Sequence, residues 1–175
     1  MPLIKTVSPD EATGRIAEIY ATFKGMIGTV PQAMQLYSVS PAILEQQFNG
    51  IGYFMKHPSL NMVFLAFVRM LVSAGTNCKY CIDFNKGMLM NNGISSEVLD
   101  AAIKDPQKTP LPEKEKALLL FVLKAVKNSH SVEAADVDAL RKLGWSDQDI
   151  FDATKHGANM VAGDIMIDTF KVTND

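Results

Sequence analysis

Residues 59–92, SLNMVFLAFVRMLVSAGTNCKYCIDFNKGMLMNN, constrain this chain more than any other stretch. From Met62 to Val72 the pattern is apolar on nearly every face, broken only by Arg69. A helix of that kind must be buried on most sides, so it belongs at the centre of an all-α bundle. The second half opens on Cys78 and Cys81, the only two cysteines in the sequence. Between them, Gly75 is the expected left-handed cap of the first helix. Ser59 is the expected cap at its start, and Thr76 or Asn77 caps the next helix, which leaves Cys78 in its first turn.

This spacing carries chemistry. Residues i and i+3 share a helix face, so Cys78 and Cys81 point the same way and a disulfide across one turn is allowed. A thiolate in a first turn meets unpaired N–H groups and the positive end of the helix dipole, which lower its pKa. Lys79 adds to this and Asp83 opposes it. The expected product is a thiolate that attacks a peroxide or a disulfide while its neighbour resolves the intermediate. One competing reading is a pair of small buried apolar side chains. Another is a zinc site, which lacks a second CxxC or a nearby His and would need ligands from a neighbouring subunit. The residues call for no cofactor.

Elsewhere the punctuation is helical throughout. Ser8-Pro9-Asp10-Glu11 reads as a helix start, followed by Ile16, Ile19, Tyr20 and Phe23. Pro31 and Ser40-Pro41 begin two further helices. After Asn91-Asn92-Gly93, a short helix runs from Ser96 to Ile103 or Lys104. Asp105 to Pro112 holds three prolines in eight residues and must be a loop. A strongly periodic segment follows from Glu113 to near Asn128. Ser131 is the expected cap of a helix with Val137, Leu140 and Leu143 on its inner face, stopped by Gly144. Ser146 opens a last long helix towards Phe170. No segment alternates with period two, so the prediction is a single-domain helical bundle over residues 1–175, with eight or nine helices.

Composition narrows the function classes. The net charge of −2 is spread along the chain with no basic stripe, which excludes a nucleic-acid or lipid-surface footprint. The run from Met62 to Val72 is too short to span a bilayer. The N-terminus has no signal-peptide core, so the expected compartment is the cytoplasm, where a CxxC is redox or metal chemistry rather than a permanent staple.

CKYC, preceded by a helix ending LVSAGTN, resembles the alkylhydroperoxidase-D-like, peroxidase-related members of the carboxymuconolactone decarboxylase superfamily. VSPDEATGRIAEIYATFKGMIGTVPQ resembles the usual start of that group, and ADVDALRKLGWSDQDIFDAT its C-terminal portion, so the likeness covers most of the chain. It implies an all-helical fold and a homo-oligomer (dimer, trimer or hexamer). It also implies peroxidase or thiol–disulfide activity of Cys78 and Cys81 towards a small-molecule oxidant, recharged by an external thiol or disulfide reductant. The usual motif in that branch places a Glu twelve residues before the first Cys and a His four after the second, as a proton relay. Here those positions are Ala66 and Asn85, and neither can act as a base. CIDFN resembles members with a C-I-D pattern, a variant subfamily.

Candidates for the missing base are few. Asp83 is nearest in sequence, but i+2 points to another helix face. His156, on the last helix with Asp152 and Asn159 at matching spacing, could swing in; the plainer reading is a polar residue on an exposed or interfacial face. His57 and His130 read as surface residues. Arg69 is expected to pair with a carboxylate or reach an interface, or else to hold a substrate anion. Met62, Met70, Met88 and Met90 read as packing, or as the wall of a pocket for an organic hydroperoxide. Gly157 and Gly163 suggest a tight helix crossing, as between subunits. Three functions follow: a CxxC peroxidase or thiol–disulfide oxidoreductase; a non-peroxidatic helical oligomer with a binding or redox-sensing role; or lactone chemistry that would survive loss of both cysteines.

Overall fold

The computed structural model describes residues 2–173. Among them the chain forms nine α-helices and two short 3-10 turns, with no strand. The helices are α1 (Gly14–Ile27), α2 (Gln32–Tyr37), α3 (Pro41–Met55), α4 (Met62–Thr76), α5 (Lys79–Asn91), α6 (Ser96–Lys104), α7 (Glu113–Lys127), α8 (Ala134–Lys142) and α9 (Asp147–Thr169). The all-α prediction is met. So is the single-domain prediction; within it the chain falls into two compact units, with boundaries at His57–Pro58 and Ile165–Met166. The proline-rich loop lies inside the second.

The first unit holds residues up to 57 together with the chain from Met166 onwards. Ile19, Tyr20 and Phe23 of α1 close on Leu44 of α3 and on Val30, with Phe48 and Ile51 at the edge. The Tyr20 hydroxyl donates to the Val7 carbonyl at 2.9 Å, and the Leu3 N–H to the Phe170 carbonyl at 2.9 Å. Ser8 to Glu11 forms a turn, with the Ser8 hydroxyl donating to the Glu11 carboxylate; α1 starts later, at Gly14. Local capping chemistry was present at Ser8, but the turn uses it without continuing into a helix.

The second unit, Pro58 to Ile165, is organised around α4. Its residues from Phe64 to Val68 are almost wholly buried, and α5, α6 and α7 pack around it. Asn61, not Ser59, caps α4: its side-chain oxygen accepts from the Phe64 N–H at 2.9 Å. At the other end of the unit, Glu133 and Asp136 form a capping box for α8, while Ser131 sits in a 3-10 turn. Leu140 is buried as predicted, but Leu143 is exposed. Ser146 and Asp149 cap α9 reciprocally, through the Ser146 N–H to Asp149 at 3.0 Å and the Asp149 N–H to Ser146 at 3.1 Å. Among the described residues, no helix is long and apolar enough to cross a membrane.

Candidate functional site

The turn from α4 to α5 is tighter than the sequence suggests. Gly75 is helical, and the left-handed residue is Asn77, at φ 61°. Asn tolerates this region better than most residues because its short polar side chain bonds locally. The N–H of Asn77 and that of Cys78, the latter at 3.1 Å, both donate to the Ser73 carbonyl and close α4. Cys78 is thereby left at the N-cap position of α5, one residue earlier than predicted, with extended backbone. Cys81 lies one turn into the helix. The two cysteines are 3.4 Å apart, both are free thiols, and both are buried.

A third group completes the cluster, and the sequence reading missed it. Asp164, on α9, is 1% exposed. Its Oδ1 accepts from the Ser73 hydroxyl at 2.9 Å, and its Oδ2 accepts from the Thr76 hydroxyl at 2.6 Å. Its carboxylate and the two sulfurs all lie within 4.8 Å of one another. Cys81 is hydrogen-bonded to it. Burial above all, then the Asp164 carboxylate and the Cys78 sulfur, push the Cys81 thiol well above its usual range. At Cys81 the loss of water and the buried acid outweigh the helix dipole. Two thiols and one carboxylate fall short of the four ligands of a closed zinc site.

The signal for Asp164 was present in the sequence. Ala153, Gly157 and Asp164 recur at spacings of four and seven, and all three are buried. An acid on a stripe of small residues has to meet a donor.

The remaining candidates separate clearly. Asp83 is exposed and ion-paired with Lys79 on the outer face of α5, so Lys79 does not serve the thiols. Asn85 is buried; its amide N–H donates to the Cys81 carbonyl at 2.8 Å, and its oxygen accepts from Arg69 Nε at 2.7 Å. His156 Nε2 lies 3.2 Å from Arg69 Nη1. Burial and the adjacent guanidinium push the His156 imidazole down to about 3, so it is neutral near pH 7. Arg69 donates its third bond to Met88 Sδ at 3.6 Å, and no carboxylate among the described residues pairs with it. Met70 is core, whereas Met62 and Met90 are exposed. His130 is exposed, and His57 stacks on Phe54. Gly157 makes its close approach within the chain, beside Val122 and Val126 of α7.

No family model and no curated protein matches the chain. Solved structures do. The alkylhydroperoxidase AhpD core of an uncharacterized peroxidase-related protein from Ralstonia eutropha JMP134 superposes with a TM-score of 0.88, covering 99% of this chain and 92% of that one at 22% identity. An uncharacterized peroxidase-related protein from Silicibacter sp. TM1040 gives 0.83, at 16% identity over 98% and 93%. A protein of unknown function from Agrobacterium tumefaciens gives 0.64, at 18% identity over 78% and 93%. At these identities the likeness is one of fold, and it agrees with the resemblance carried by the CKYC stretch and its flanks: the chain has the alkylhydroperoxidase AhpD-core fold.

Proposed function

We propose that this protein is a dithiol oxidoreductase of the peroxidase-related kind, reducing a hydroperoxide or a disulfide through Cys78 and Cys81. The observation that carries the reading is the pair of free thiols 3.4 Å apart with a buried carboxylate beside them. One sulfur, losing its proton, attacks the O–O bond of a hydroperoxide. An S–O bond forms, the O–O bond breaks, and the alkoxide takes up a proton and leaves as alcohol. The second thiol then displaces hydroxyl from the sulfenic acid, giving a disulfide and water. An external dithiol returns two electrons and two protons to complete the cycle.

Asp164 takes the role that the family motif assigns to its Glu and His. It accepts the Cys81 proton and returns it to the leaving oxygen, while Ser73 and Thr76 hold its two oxygens in place. The raised Cys81 thiol supports a second reading, a slow redox sensor, because a mostly protonated thiol is a poor nucleophile at pH 7. Homo-oligomer assembly belongs to the same proposal.

The test is stopped-flow oxidation by an organic hydroperoxide and by a disulfide, on wild type and on Cys78→Ser and Cys81→Ser. Oxidation well above the rate of free cysteine, with turnover lost in both variants, is expected. If neither thiol outpaces free cysteine, the peroxidase reading fails. Reversible oxidation without turnover would select the sensor.

A further inference from the structure

We propose that Arg69 is a positioning residue for the dithiol, a half-buried guanidinium held by neutral partners so that its charge is left for the Cys81 thiolate. The inference rests on the thiol chemistry proposed above. Arg69 sits in the most buried run of α4, between Val68 and Met70, both fully buried. A cation there is expected to face a carboxylate, because an unpaired buried charge is costly. Its hydrogen-bond partners are instead Asn85, His156 and the Met88 sulfur, each uncharged. His156 is kept that way by its surroundings: burial disfavours the imidazolium, and Arg69 repels it. The ring can then accept from the guanidinium through Nε2, its other side being held by the Leu65 backbone.

Asn85 gives the arrangement its direction. One end of its amide holds Arg69 Nε, and the other holds the carbonyl of Cys81 itself. The guanidinium is thus tied to the turn that carries the thiol. Of the groups facing Cys81, Asp164 from α9 and Cys78 from α5 both oppose a negative sulfur. Arg69 from α4 favours it, and it is Cys81 whose charge acts back on Arg69. Asn85, which occupies the position of the family's histidine, therefore has work of its own as a clamp for this cation.

The experiment uses the Cys78→Ser protein, which has one thiol, and follows its alkylation by iodoacetamide across pH. Arg69→Met is expected to displace the profile upward by roughly one pH unit, about a tenfold slower reaction at fixed pH. Arg69→Lys restores most of the rate. An unchanged profile in Arg69→Met with full helical circular dichroism overturns the proposal, and so does a failure of Arg69→Lys to restore the rate. If Arg69→Met loses its helices, Asn85→Ala carries the test: an upward displacement is expected, and an unmoved profile overturns it. The readout needs no turnover. A protein inert to peroxide with an Arg69-dependent profile sinks the peroxidase reading alone, and active turnover with an Arg69-independent profile sinks the cation role alone.

Discussion

On the roles proposed above, Asp164 and Arg69 act on one sulfur with opposite sign, and removing each should show it. Asp164→Asn removes a negative charge from beside Cys81, so its alkylation profile is expected to move to lower pH. On the proposed function the same change removes the proton acceptor, so hydroperoxide turnover should fall by about 10²-fold or more. Faster alkylation with slower turnover, measured on one preparation, separates proton transfer from simple electrostatics. His156 makes a stability prediction. Above about pH 6.5 neither the folded nor the unfolded chain protonates it. Below that, the unfolded chain takes a proton that the folded chain refuses until about 3. The unfolded state then binds more protons, so stability falls as pH drops through the window, by up to about 1.4 kcal/mol per pH unit. Urea midpoints between about pH 7 and 4 should show a shallower loss in His156→Gln. At this scale the sequence showed the two cysteines and the absence of Glu and His around them. The small-residue stripe on α9 marked Asp164 as buried but not what it meets, because Asp164 is 91 residues from Ser73, and such pairings leave no local pattern.

Helix existence was legible, because apolar periodicity and capping residues act within a turn or two. Helix ends were less so. Ser8, Ser59 and Ser131 all have capping chemistry, but α1 is entered through a turn, Asn61 caps α4 and Glu133 caps α8. Several residues in each stretch could cap, and tertiary packing chose among them. The α4–α5 junction follows the same logic, with Asn77 rather than Gly75 taking the left-handed conformation. Asn77→Ala should cost about 1–2 kcal/mol in denaturant unfolding, and Gly75→Ala should not, since its Cβ meets open space. The crossing of α9 over α7 is the tighter constraint. A Cβ on Gly157 would lie 2.5 Å from Val122 Cγ1 and 3.3 Å from Val126 Cγ2. Gly157→Ala is therefore expected to destabilise by about 1–3 kcal/mol. Val122→Ala in the same chain should recover part of that, as read by a double-mutant cycle.

At the level of the whole molecule, the cluster of Cys78, Cys81 and Asp164 belongs to one compact unit, Pro58 to Ile165. That unit also leaves apolar side chains in water along α9: Phe151 is 68% exposed and Ile165 60%. The homo-oligomer proposed above would cover such side chains. Sedimentation should give a mass of two or more 19.2 kDa subunits, and Phe151→Ser with Ile165→Ser should lower it. The origin of Asp164 has a further consequence during synthesis. Both thiols and the two hydroxyls are translated early in the second unit, but their carboxylate arrives only with α9. A nascent chain on the ribosome thus carries the CxxC without the carboxylate that lies beside it in the folded protein, and the cluster is complete only when α9 emerges and docks.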